Sequence, residues 1–149
     1  MKTFQLTNKV HVGAQPDHRD LAVLKEQGVR TVIDFRMPAE TGDTNREVVM
    51  AAGMQYVNIA VDKHALSTLS LDQLQNQLQQ DSGPYLLHCA SGARASVMWA
   101  LHQAREHEWS YLATLQAIQT MGTDVSQSPE FLSFIRDVTA NHKHSNSAQ

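Results

Sequence analysis

The chain's single cysteine stands in the run Tyr85-Leu86-Leu87-His88-Cys89-Ala90-Ser91-Gly92-Ala93-Arg94-Ala95-Ser96. Apolar residues lead into His88-Cys89. Small residues, one glycine and one arginine follow, and then a helix-forming segment. A thiol at a helix N-terminus beside a guanidinium is favoured as the thiolate, because the dipole and the cation both stabilise negative charge. Ala90, Ser91, Gly92 and Ala93 are small enough for backbone N–H groups to turn inward and hold an oxyanion over the sulfur. Gly92 suits a point of positive φ, or one where a side chain would block the cradle. Arg94 can clamp two oxygens of a tetrahedral anion with its planar fork. His88 is expected to order the loop by hydrogen bonding, since a thiolate needs no base. The hydroxyls of Ser91 and Ser96 can steady the thiolate, or serve only the loop and the helix start.

Cleaving a phosphoester also asks for a proton on the leaving oxygen. Asp62 follows an apolar strand, 27 positions before Cys89, where the strand end should open beside the cysteine loop. It is the first candidate acid, with plain loop capping as its structural alternative. His64 is a weaker neighbour. Glu40, Asp43 and Asp124 lie in loops that can also reach the site. Arg36 ends a strand at the same edge, where it can widen the positive field or pair with Glu40. A surface salt bridge is its simplest role.

The elements around these residues can be read from periodicity and punctuation. Residues 9–13 form a short strand before a turn at Gln15-Pro16. Asp17 caps a helix to Glu26 that Gly28 ends, with Leu21, Val23 and Leu24 facing inward. Residues 30–35, 54–61 and 85–88 read as strands, the first β-branched and largely apolar. Thr44-Asn45-Arg46-Glu47 is a capping box for a helix that stops at Gly53, and Ser70-Leu71-Asp72-Gln73 is a second. The helix after the second box carries Leu71, Leu74 and Leu78 at helical spacing. A helix from Ala95 to about Glu106 follows the cysteine loop. Ser110 caps another through Met121, with Leu112, Leu115 and Ile118 inside. Ser128-Pro129-Glu130 opens the last, whose apolar stripe is Phe131, Phe134, Ile135 and Val138.

Strands alternating with helices imply an α/β fold: a mostly parallel sheet of about four to five strands flanked by helices. Ligands bind such sheets beyond the carboxyl ends of the strands, which is where the loop after His88 lies. The 149 residues suit one domain over 1–140, with a polar, disordered tail at 141–149. A formal charge of -3 gives no electrostatic case for nucleic acid as a partner. No apolar run approaches the roughly 18 residues of a membrane span, and the N-terminus lacks a signal-peptide core. One cysteine cannot form an intrachain disulfide, so a cytoplasmic setting is expected. The eight histidines show no metal-ligand spacing, and no cofactor is called for.

His88-Cys89 after an apolar strand, with Gly92, Arg94 and Ser96 before a helix, resembles the signature loop of cysteine-dependent phosphatases. Val12-Gly13-Ala14-Gln15-Pro16, the run from Leu24 through Gly28 and Asp34 to Arg36, and Gly53-Met54-Gln55-Tyr56 extend the likeness. Together they are similar to the bacterial beta-lactamase-hydrolase-like phosphatase-like domain family, over about residues 9–120. The resemblance implies a dual-specificity-phosphatase-like fold, with Cys89 as nucleophile, Arg94 as clamp and Asp62 in the position of the acid.

One departure matters. Phosphatases of that superfamily place five residues between cysteine and arginine, and this chain has four. In one alignment the loop is a residue short and resembles the six-residue cradle of rhodanese-type sulfurtransferases. In the other, Cys89, Gly92 and Ser96 keep the phosphatase spacing and Ala95 takes the arginine slot. The first is preferred because it keeps the clamp. Three functions follow: phosphatase-like hydrolysis of a small anionic or phosphorylated substrate, sulfur transfer from a donor such as thiosulfate through a Cys89 persulfide, or non-catalytic anion binding or redox sensing.

Overall fold

Over the residues it describes, 3–41 and 44–142, the computed structural model alternates five strands with seven helices. The strands are β1 (Thr3–Thr7), β2 (Val10–Gly13), β3 (Thr31–Asp34), β4 (Gln55–Asn58) and β5 (Tyr85–His88). They form one sheet in the order β1-β2-β5-β3-β4, parallel throughout except for β1, which runs antiparallel to β2. The helices are α1 (His18–Glu26), α2 (Pro38–Thr41), α3 (Thr44–Ala51), α4 (Thr68–Gln80), α5 (Ala93–His107), α6 (Tyr111–Thr120) and α7 (Pro129–Thr139).

Strand alternation divides the core into two layers. Ile33, Leu87, Val10 and Val12 pack with residues of α4, α5, α6 and α7, including Leu74, Met98, Ile118 and Phe131. Their neighbours Val32 and Leu86 face the other way, against Leu21 and Leu24 of α1 and Val49 of α3. Both faces are covered, which is why these strands are apolar at consecutive positions rather than alternate ones. The α/β architecture read from the sequence is the one observed.

Local details differ. β1 was not foreseen, since its polar, alternating sequence suits a sheet edge and carries little apolar signal. α4 starts at a Ser67 cap, whose oxygen accepts from the Leu69 amide, and the Ser70 hydroxyl inside the helix donates to the Ser67 carbonyl. Both serines can cap, and the earlier one does. Val23 and Leu112 point to solvent, at 52% and 69% exposure. α1 needs only the Leu21–Leu24 stripe, and α6 turns small Ala113 and Thr114 inward with Ile118. α5 begins at Ala93, two residues before the expected start, which puts Arg94 in its first turn. Asp43 and the expected tail beyond residue 142 lie outside the described residues. His142 is within them, its Nδ1 2.8 Å from the Trp109 carbonyl.

Candidate active site

The cysteine loop sits over the centre of the sheet. β5 lies between β2 and β3, with His88 in register with Gly13 on one side and Asp34 on the other. The Gln15 amide donates to the Ala90 carbonyl at 3.2 Å, and the Phe35 amide to the His88 carbonyl at 2.8 Å. Three parallel strand ends therefore hold the loop from both flanks. Gly92 is the N-cap of α5 with φ of +99°, the left-handed conformation that favours glycine. That conformation turns its amide onto the Cys89 sulfur at 3.1 Å. The first amides of a helix have no acceptors within it, so this end of α5 is an electropositive floor for the sulfur.

The loop is tighter than the sequence reading foresaw. Cys89 is 0% exposed, and the Gly92 amide is turned to its sulfur. The Ala93 amide is turned to the Ser91 hydroxyl at 3.4 Å. The Ser96 hydroxyl has partners other than the thiol. It donates to the Gly92 carbonyl at 2.8 Å and accepts from Thr123 at 3.0 Å. Both serines thus brace the backbone of the loop. Ala90 and Ser91 are exposed at its outer edge.

Arg94 is 15% exposed, and its fork holds the Glu40 carboxylate with two bonds of 2.8 Å. Its Nη1 also donates to the Val61 carbonyl at 3.3 Å. Glu40 first, and Cys89 next to it, keep the guanidinium protonated above its usual range against partial burial. Arg94, backed by the Met37 amide at 2.7 Å, drops the Glu40 pKa to about 2. Glu40 therefore carries no proton to give at neutral pH, which removes it from the candidate acids. Asp62 directly follows the Val61 carbonyl. Its Oδ1 accepts from the His64 amide at 2.9 Å, and its Oδ2 has no hydrogen-bond partner among the described residues. A cavity of about 400 Å³ opens here, lined by Met37, Val61, Asp62, Leu66 and Leu69 among others. His64 pairs outward with Glu130 at 3.5 Å, and Asp124 is exposed with Oδ1 on the Ser126 amide.

Beneath the loop lies a polar cluster that sequence reasoning missed. Asp34 is 0% exposed and Arg36 3%, joined by bonds of 2.9–3.2 Å. Asp34 Oδ2 also accepts from the Tyr56 hydroxyl at 2.8 Å and from Asn45 at 3.1 Å. Asn58 donates to the Asp34 and Arg36 carbonyls. Burial disfavours the Asp34 charge, but the Arg36 and Tyr56 hydrogen bonds outweigh it and hold the pKa below the usual carboxylate value. Burial, helped by Asp34, pushes the Tyr56 phenol up to about 12. Arg36 is thus not a surface ion pair. Residues two apart at a strand end point the same way, and a carboxylate waits on that face. The signal available was an aspartate inside an otherwise apolar strand.

His88 lies fully buried on the same face, its Nδ1 3.2 Å from the Cys89 carbonyl and 3.9 Å from Asp34 Oδ1. Burial lowers its pKa, with Asp34 opposing, so the ring is neutral at pH 7. It fixes the loop backbone and does not touch the sulfur through any hydrogen bond among the described residues. No group of three His, Cys, Asp or Glu side chains among those residues could hold a metal ion. No helix among them is long and apolar enough to cross a membrane.

The sequence pattern of the beta-lactamase hydrolase-like protein, phosphatase-like domain, matches residues 3–106. A beta-lactamase hydrolase-like protein of Agrobacterium fabrum is 28% identical over 109 residues, covering 70% of this chain and 25% of that protein. The chain thus spans about a quarter of the length of that relative and of its Xylella fastidiosa counterparts. Among solved structures, a DUF442 protein from Shewanella putrefaciens CN-32 superposes with a TM-score of 0.81 at 21% identity, over 95% of this chain and 91% of that one. TpbA of P. aeruginosa, solved in complex with phosphotyrosine, gives 0.72 at 19% identity, over 93% and 90%. The fold is that of the cysteine-dependent phosphatases.

Proposed function

Because the chain belongs to the beta-lactamase hydrolase-like phosphatase-like domain family, we propose that it is a cysteine-dependent phosphatase-type hydrolase acting through Cys89. The observation that carries this reading is the Gly92 amide at 3.1 Å from the sulfur, at the N-terminus of α5, with Arg94 in the first turn of that helix. The Cys89 thiolate attacks phosphorus, and the bond from phosphorus to the leaving oxygen breaks. Asp62 gives its proton to that oxygen, whose organic group lodges in the cavity beside Val61. Loop amides and Arg94 stabilise the charge on the transferred oxygens. Water then attacks the phosphocysteine, returning its proton to Asp62 and releasing phosphate and thiolate.

The four-residue spacing between Cys89 and Arg94 favours a second reading, sulfur transfer. Thiosulfate would give its outer sulfur to Cys89, sulfite would leave, and the persulfide would pass that atom to an acceptor. One atom fits a small ring more easily than a phosphoryl group does. A paired assay separates the two, with aryl phosphate and thiosulfate offered to wild type and to Cys89→Ser under intact-mass detection. The first reading expects aryl phosphate turnover and a phosphoprotein, both lost in Cys89→Ser. A persulfide with no phosphatase activity replaces it by the second. Anion binding without either reaction leaves only the binding or sensing role. Asp62→Asn should slow hydrolysis most for poor leaving groups, and an unchanged rate there removes Asp62 as the acid.

A further inference from the structure

We propose that the cavity beside Arg94 selects phosphomonoesters whose organic group is uncharged and apolar, and that Leu69 on its wall is a specificity-determining residue. This inference rests on the phosphatase reading above and deepens it to a substrate class. Two contacts tie the cavity to the arginine. Val61, part of the lining, accepts from Arg94 Nη1 through its carbonyl at 3.3 Å. Met37, also part of the lining, donates its amide at 2.7 Å to the Glu40 carboxylate that pairs with Arg94. An organic group esterified to a phosphate on the cysteine loop has this surface within reach.

Met37, Ala60, Val61, Ala65, Leu66 and Leu69 give the wall its hydrocarbon, and among the described residues Asp62 is the only ionisable side chain on it. Leu69, in the first turn of α4, is 63% exposed, so its side chain adds to the wall rather than to the core. Neutral polar groups on the wall are turned to backbone. Asn58 donates to the Asp34 and Arg36 carbonyls, Ser70 donates to the Ser67 carbonyl, and the Ser67 oxygen takes the Leu69 amide at the helix start. Cations nearby face elsewhere: Arg36 is buried on Asp34, Lys63 lies over the Phe131 ring at 5.9 Å, and His64 faces Glu130. A second phosphate on the organic group would therefore lose water against a wall that offers it no counter-charge. An apolar group gains by leaving water there.

Phenyl phosphates with para substituents test this, because a para-alkyl chain lengthens the organic group while leaving the acidity of the phenol nearly unchanged. For wild type, kcat/KM is measured on phenyl phosphate and its para-methyl, para-ethyl and para-propyl derivatives. It is also measured on para-phenylene bisphosphate, with para-methoxyphenyl phosphate as the counterpart that lacks the second charge. The expected rise along the alkyl series is about two- to fourfold per methylene, the upper figure being full burial. The bisphosphate should fall about tenfold or more below the methoxy ester. Leu69→Lys places a cation on the wall at an exposed position, and circular dichroism checks that the fold is retained. It should flatten the alkyl series and recover about fivefold or more of the bisphosphate deficit, the value of a unit charge pair about 4 Å apart in water. A flat or falling alkyl series in wild type overturns the proposal and leaves the phosphatase reading intact, and so does a bisphosphate turned over as fast as the methoxy ester. A series and a deficit both unmoved in Leu69→Lys overturn the role given to Leu69. If wild type hydrolyses none of these esters, the phosphatase reading falls, and the substrate class with it.

Discussion

Replacing Asp34 with asparagine tests whether the polar cluster under the loop holds the site together. Asparagine keeps the shape, but it removes the charge and turns an NH2 toward donors that need an acceptor. Arg36, at 3% exposure, is then a buried cation without its anion, and the Tyr56 hydroxyl and Asn45 amide lose a charged acceptor. Breaking a buried pair by removing one partner costs about 3–5 kcal/mol. Against a total stability of about 5–15 kcal/mol that is a large fraction. At about 2–4 °C per kcal/mol for a chain of this size, the midpoint should fall by roughly 6–20 °C. Urea and thermal denaturation followed by circular dichroism measure it. The companion variant, Asp34→Leu with Arg36→Met, removes both charges and should cost much less than its two single changes added together. A loss below about 1 kcal/mol for Asp34→Asn would refute the reasoning. So would a double variant as unstable as that sum.

Gly92→Ala forces a side chain into φ of +99°, which should cost about 1–2 kcal/mol in chemical denaturation and remove most turnover by displacing the amide on the sulfur. The buried, neutral His88 has a folded pKa below the ordinary 6.5, so below about pH 6.5 the unfolded chain binds a proton that the native ring refuses. Its contribution is present in full above that pH and declines on acidification, by up to about 1.4 kcal/mol per pH unit, until the folded pKa is reached. Denaturation curves between pH 7 and 5 should show this slope reduced in His88→Gln, and an identical slope would contradict it. Tyr56→Phe removes the hydroxyl donor to Asp34 and should cost about 1.5–3 kcal/mol. Ultraviolet titration of wild type should find two phenols ionising near 12, Tyr56 and Tyr85, and the variant only one.

The consecutive apolar pairs Val32-Ile33 and Leu86-Leu87 announced strands buried on both faces, and the observed core divides between those pairs. Cys89, Gly92 and Arg94 were legible because a strand, a turn and a helix start follow one another within ten residues. What stayed hidden depends on distant partners. Nothing near Arg94 indicates that a carboxylate 54 positions earlier fills its fork. Nor does Asp34 look like a hub until β4 brings Tyr56 and Asn58 beside it. The start of α4 was ambiguous for a different reason. Ser67 and Ser70 carry the same capping chemistry, and the choice between them depends on packing rather than on local preference.

The Thr123 hydroxyl donates to Ser96, which in turn donates to the Gly92 carbonyl. Thr123 lies beyond residue 106, where the family pattern stops. An excised fragment ending there would keep the thiol and its arginine but lose the prop behind the glycine. It would also uncover the sheet face on which Ile118, Phe131 and Ile135 pack. Grafting this chemistry onto another protein therefore requires cutting after α7, whatever the reach of the recognisable pattern.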